Sequence, residues 1–236
     1  MSEAIVITPV KDSPETTART IDAVCRSESD IEYFVYNDFS QPATREILAK
    51  LAKKYSFQLA HIEDITQNPS PNYKLVLQLA QQTAIEKKLP LIIVESDVVV
   101  QPGTIKKLLN IEKSFPSPGL VGAITVDMEG NYNFPYHFAK TKSDQTVDTS
   151  RSLSFCCTLL SLPFLEKFSF EKLDSKKDWF DVTISRQAKK EGFRNYLAKG
   201  IEVLHLPHSS RPWKNLKYSN PLLYYSKKLL HNRDKI

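Results

Sequence analysis

The stretch Leu91-Ile92-Ile93-Val94-Glu95-Ser96-Asp97 decides how this chain folds. Its four consecutive apolar residues, three of them β-branched, are too few for a helix and lack the alternation of a half-exposed strand. They read as a strand buried on both faces, as in a parallel sheet. Two acids follow where such a strand reaches solvent. Before it, Tyr73 to Lys87 predicts a helix with Leu75, Leu79 and Ala80 on one face. After it, Pro102 suits the first position of a helix carrying Ile105, Leu108 and Leu109. Towards the N-terminus the same alternation continues. Ala4 to Thr8 is a strand, Pro9 to Pro14 a turn, and a helix runs through Val24. Tyr33 to Tyr36 is a strand, Pro42 to about Tyr55 a helix, and Phe57 to Ile62 a weaker strand before a polar loop with Pro69 and Pro71. Strands alternating with helices of this length imply an α/β domain with parallel strands and crossover helices.

The second half is less regular. Gly119 to Val126 and Phe155 to Leu160 read as strands, separated by a polar, aromatic-containing segment from Asp127 to Ser150. Pro163 to Phe168 is a short helix, Trp179 to Glu191 a longer one, and Ile201 to Leu204 a last strand. No repeat or linker interrupts the chain, so one domain over residues 1–210 is expected, followed by a tail over residues 211–236.

Of 236 residues, 41% are apolar and 25% charged, enough for a sizeable core. The net charge of +5 is unevenly placed. The tail holds seven bases (Arg211, Lys214, Lys217, Lys227, Lys228, Arg233, Lys235) against Asp234, leaving the body with 25 of the 32 bases and 26 of the 27 acids. A body near neutrality is not that of a nucleic-acid-binding domain. Three cysteines, two of them the adjacent Cys156 and Cys157, make no disulfide framework and read as reduced, buried thiols of a cytoplasmic protein. Met1 to Val10 lacks a basic region followed by a long apolar core, so no signal peptide is expected. No apolar run approaches the ~20 residues of a membrane span.

Ligands of open parallel sheets bind beyond the carboxyl ends of the strands. There the chain places Thr8 and Asp12; Asn37, Asp38 and Ser40; and Glu95, Ser96 and Asp97. No Gly-rich phosphate loop follows the first strand, which disfavours a dinucleotide or P-loop site. Carboxylates at such ends bind ribose hydroxyls and hold hard cations against a diphosphate. A single acid there also serves as a helix or turn cap; two clusters about sixty residues apart favour a site.

With these motifs in order, the chain resembles the family 2 glycosyltransferases of the GT-A fold, from about Ala4 to Ser210. Ile5 to Lys11 looks like the family's first strand and nucleotide-binding turn, which implies donor contacts at Thr8, Pro9 and Val10. Tyr36-Asn37-Asp38-Phe39-Ser40 stands where the family has Asp-Asp-Gly-Ser, implying a nucleoside contact for Asp38. Glu95-Ser96-Asp97 stands at the Asp-x-Asp motif, implying a ribose contact for Glu95, with Ser96 beside it, and a metal contact for Asp97. Phe180-Asp181 before Glu191-Gly192-Phe193 looks like the family's Glu-Asp segment, with Asp181 the base. Val203-Leu204-His205 resembles the late strand whose His completes metal binding, with His208 in reserve. Asn37, Glu95 and Phe180 depart from the family's usual residues. The resemblance implies an inverting, metal-assisted transfer, with Mn or Mg as cofactor and a nucleotide sugar as donor. The acceptor would be a saccharide or lipid-linked glycan.

Lys74 and Arg211 are candidates for the diphosphate. Tyr132, Phe134, Tyr136 and His137 are candidates for an acceptor surface beside Asp178 and Trp179; loop packing is the competing role. Asp178 and Asp181 also read as helix N-terminal acids, a role compatible with catalysis. In the tail, Trp213, Tyr218, Leu222, Leu223, Tyr224, Tyr225, Leu229 and Leu230 interleave with lysines. That pattern fits an anionic membrane surface on the cytoplasmic side, or a helix packed on the domain. A nucleotide-sugar binder without turnover and, less favoured, a sugar nucleotidyltransferase are the alternatives.

Overall fold

The computed structural model describes residues 2–27, 30–136, 138–139, 141–175 and 179–206. In chain order the elements are β1 Ala4–Val10, α1 Pro14–Cys25, β2 Ile31–Asn37, α2 Pro42–Lys54, β3 Gln58–His61, α3 Tyr73–Lys87, β4 Leu91–Val94 and β5 Val98–Val99. They continue with α4 Thr104–Ser114, β6 Pro118–Val126, β7 Thr146–Asp148, β8 Cys157–Leu160, α5 Leu162–Lys167, α6 Phe180–Lys190 and β9 Arg194–His205. Nine strands form one sheet in the order β3-β2-β1-β4-β8-β6-β9-β5, with β7 also on β9. β1, β2, β3, β4, β6 and β9 run one way; β8, β5 and β7 run against them. The α/β expectation of a mostly parallel sheet flanked by helices holds.

β4 explains why the sheet is covered twice. Leu91 and Ile93 enter one apolar cluster with Ile5, Ile7, Val76, Leu77 and Ile184. Ile92 and Val94 enter the other with Val6, Ile21, Leu48, Ile105 and Leu108. Thus α3, α5 and α6 cover one face and α1, α2 and α4 the other. The apolar face of α3 is Val76, Leu77, Ala80 and Ala84, whereas Leu75 and Leu79 are only partly buried. With apolar residues nearly all round this helix, the sequence offered two stripes and the sheet chose one. α4 begins at Thr104, two residues after Pro102, because Gly103 takes φ 75° and closes the helix to anything earlier.

Three elements were not anticipated. β5 and β7 are two and three residues long. The first half of β9 carries Arg194, Asn195 and Lys199, and its register against β6 jumps between Ala198 and Glu202. Gly200 sits in that bulge, where a Cβ would come within 3.0 Å of the Asp144 backbone. Among the described residues, no helix is long and apolar enough to cross a membrane. The tail, His137, Asp178, His208 and Arg211 lie outside the described residues.

Candidate active site

The chain leaves β1 to one side through β2 and β3, then returns to β1's other side at β4. This reversal opens a crevice between the ends of β1 and β4, the usual ligand position in such sheets. Beyond β4, Val98 N donates to Glu95 O (3.0 Å), turning the chain into β5. β5 pairs with the end of β9, Val98 opposite His205, and Leu206 N donates to Asp97 O (2.8 Å). That two-residue ladder brings together Asp97 and His205, which are 108 positions apart in sequence: His205 Nε2 lies 3.2 Å from Asp97 Oδ2. Their side chains are 5% and 3% exposed.

The protonation of this pair follows from its neighbours. His205 Nδ1 lies 2.9 Å from the Phe134 carbonyl, which can only accept, so Nδ1 carries a hydrogen. In the neutral ring Nε2 then turns a lone pair towards the carboxylate. Two electron-rich atoms 3.2 Å apart call for a cation, a proton or a metal ion. An imidazole and a carboxylate, with the ring fixed by a carbonyl behind it, is a donor set that fits a divalent ion. Among the described residues, no third His, Cys, Asp or Glu joins them.

The other strand-end residues are placed as follows. Asp38 is 8% exposed; its Oδ2 accepts from Ser70 Oγ (2.7 Å) and Asn72 N (2.8 Å), and its Oδ1 from Asn72 Nδ2 (2.8 Å). It therefore fastens the loop ahead of α3. Asn37 is fully buried and bonds His61 Nδ1 (2.9 Å). Thr8 is also buried, its hydroxyl accepting from Tyr33 (2.8 Å), and Val10 is 2% exposed with its carbonyl taken by Asp38 N. The β1 end thus offers a ligand Pro9 and backbone rather than those two side chains. Asp12 Oδ1 accepts from Gln41 N (2.8 Å) and Asp12 N donates to Ser40 Oγ (3.0 Å), lacing the first two turns together. Glu95 and Ser96 are half-buried at the crevice.

α6, which packs against β6 and β9, starts at Phe180, with Trp179 half-buried just before it and Asp181 in the first turn. Phe180 turns into the core, 7% exposed and 6.2 Å from the Tyr73 ring. The position where the family has an acid is here an anchor. Lys74 Nζ donates to Leu173 O and Ser175 Oγ (3.2 Å), joining α3 to the segment that leads to α6.

Tyr136 does not line an open surface: it is 1% exposed and its hydroxyl accepts from Ser154 N (3.1 Å). Burial pushes its phenol well above the ordinary value, and nearby Cys156 and Asp181 push the same way. Tyr132 lines a shallow cavity of about 540 Å³ with Lys107, Lys142, Lys199 and Glu202, beside the β9 bulge. The Phe134 ring, 36% exposed, lies 6.2 Å from that of His205. Cys156 also reaches the site, its Sγ 3.7 Å from Glu95 Oε2. Its sequence signal was only that of a small buried residue.

Three solved structures share this architecture. A mannosyltransferase from Pyrobaculum calidifontis, in complex with GDP-Man and Mn2+, matches at TM-score 0.65 and 13% identity, covering 99% of this chain and 65% of that one. GalNAc-T7, with UDP, GalNAc and Mn2+, matches at 0.65 and 12%, covering 89% and 45%. S. aureus TarS 1-349, in complex with UDP-GlcNAc, matches at 0.65 and 14%, covering 89% and 60%. The chain thus spans between about half and two thirds of these neighbours. No curated protein sequence matches it. The model of glycosyl transferase family 2 matches residues 5–168, the part that carries the β1 and β4 ends and well over half of the chain, and the protein therefore belongs to that family.

Proposed function

We propose that the protein transfers a sugar from a nucleoside-diphosphate sugar to a hydroxyl of a saccharide or lipid-linked glycan, with inversion. The observation that carries this is the buried Asp97–His205 pair at the crevice between β1 and β4. Asp97 Oδ2 and His205 Nε2 would hold Mn or Mg, with Phe134 O fixing the ring. Such an ion, when bound, supplies positive charge for the departing diphosphate. Glu95 accepts from a ribose hydroxyl, while Pro9 and the β1 backbone flank the nucleotide. Asp181 takes the proton of the acceptor hydroxyl as the new C–O bond forms and the bond from the sugar to the diphosphate breaks. Base catalysis of this kind contributes ~10²–10⁴-fold. The neighbours in complex with GDP-Man and Mn2+, with UDP, GalNAc and Mn2+, and with UDP-GlcNAc support this reading. Asp181 and His205 lie beyond the residues that the family model matches, so their roles rest on position.

The test is a thermal-shift screen of nucleoside diphosphates and nucleotide sugars with and without Mn²⁺ or Mg²⁺. A metal-dependent rise in Tm, lost in Asp97→Ala, is expected. No shift with any nucleotide would sink donor binding. A second reading, binding without turnover, is favoured by one observation: Phe180 gives the core a ring where the family has an acid. Sugar transfer to any acceptor excludes it.

A further inference from the structure

We infer that Cys156 is a positioning residue for Glu95, setting which carboxylate oxygen faces the ribose; this rests on the donor reading above. The two residues meet at the end of the β4–β8 ladder. Val94 pairs with Cys157, and one step on, Glu95 N donates to Cys156 O (3.0 Å). Their side chains are cross-strand neighbours held by backbone. Cys156 is 1% exposed, and its Sγ lies 3.7 Å from Glu95 Oε2 and 3.3 Å from Ser154 Oγ.

The hydrogens in this chain have one consistent order. An ionised carboxylate only accepts, so the thiol hydrogen points to Glu95. The sulfur is then left as acceptor, and the Ser154 hydroxyl donates to it. Ser154 is itself fixed, its amide donating to the Tyr136 hydroxyl (3.1 Å) and its carbonyl accepting from Thr158 Oγ1 (2.7 Å). A buried scaffold from β8 therefore ends in one S–H aimed at the acidic motif. The contact at Oε2 fixes the rotation of the carboxylate from the β8 side. A thiol hydrogen bond is weak, so its effect is on placement rather than on fold stability.

The experiment has two arms. First, the S–H stretching band of Cys156, identified by its loss in Cys156→Ser, is recorded in the infrared for the wild type and for Glu95→Gln. A band at the position of a hydrogen-bonded thiol that shifts in Glu95→Gln is expected; an unmoved band overturns the inference. Second, Kd is measured with Mn²⁺ for UDP and GDP against their 2′-deoxy and 3′-deoxy forms. A hydrogen bond to a carboxylate predicts ~10-fold or greater preference for one ribo form in the wild type. Cys156→Ser, which keeps a donor, should retain it, and Cys156→Val should reduce it to within about threefold at unchanged Tm. Equal preference in the valine variant and the wild type overturns the positioning role alone. A wild type that binds neither nucleotide overturns the donor reading and this role with it, whatever the infrared band shows.

Discussion

Asp181 occupies the first turn of α6, where the helix dipole favours an ionised carboxylate. Its Oδ1 accepts from Val182 N at 2.8 Å, which orients the carboxylate. The helix-terminal role read from sequence and the proposed base role thus coexist in one group. Replacing Asp181 with Asn keeps the shape and removes the basic oxygen, so transfer should fall ~10²–10⁴-fold. Donor Kd, followed by calorimetry, should stay within about twofold of the wild type. Undiminished turnover would refute the assignment. The resemblance named Asp97, Asp181 and His205 as candidates from their types and order, and the structure brings Asp97 and His205 together. The sequence could not show that Asp38 spends its oxygens on Ser70 and Asn72, since those partners lie over thirty positions away in a loop without periodicity. Nor could it show that Cys156 faces Glu95, because nothing local says that β8 inserts beside β4.

At the scale of elements, α3 is tied to the α5 region by one side chain. Gln81 Nε2 donates to Leu165 O (2.8 Å) and Phe168 O (2.7 Å), and its Oε1 accepts from Phe170 N (2.7 Å). Gln81 is 6% exposed, so these groups have no ready exchange with water. Gln81→Leu would leave three buried backbone groups without partners at about 1–3 kcal/mol each. A loss of at least ~2 kcal/mol in urea unfolding is expected, and a variant as stable as the wild type would contradict it. The clasp also sets the course of residues 170–175 towards α6, which Lys74 holds from the other side. The bounds of α3 and β4 were legible to the residue, whereas the face that α3 turns to the sheet was not. β5 and β7 were not, because a two- or three-residue edge pairing is defined by its partner β9 rather than by its own composition. The polar half of β9 was hidden for a related reason: Asn195 is buried in it with Nδ2 donating to Ser185 O (2.8 Å), a contact no local pattern announces.

For the whole molecule, charge and titration give two expectations of different origin. The near-neutral body and the +6 tail imply that removing residues 211–236 should weaken sedimentation with anionic liposomes, each base near such a surface contributing up to ~1 kcal/mol; unchanged binding would remove the membrane proposal. The folded body, for its part, is built to fail in alkali. Burial and Asp22 push the Cys25 thiol up to about 11, and burial alone pushes Cys157 up to about 12. Burial raises the phenol of Tyr36 to about 12, and it raises those of Tyr33 and Tyr136 as well. In the unfolded chain the thiols ionise near 9.0 and the phenols near 10.0. Folded values above unfolded ones mean that the native state holds these protons longer. Their contribution is therefore complete below pH 9.0, declines as pH rises past it, and is lost through the folded values. Asp22 acts with the opposite sign: the Tyr55 hydroxyl lowers its carboxyl, so its contribution stands above 3.8 and is lost on acidification. Burial raises Glu112 and opposes it, making the acid limb shallow. Urea midpoints should thus be level around neutrality, fall gently in acid, and fall steeply from pH 9.0 to about 12. Four buried groups and the half-buried Cys25 titrate in the same direction there, and a midpoint that stays level across that window would show that these thiols and phenols are not shielded as the sheet and its two helical layers require.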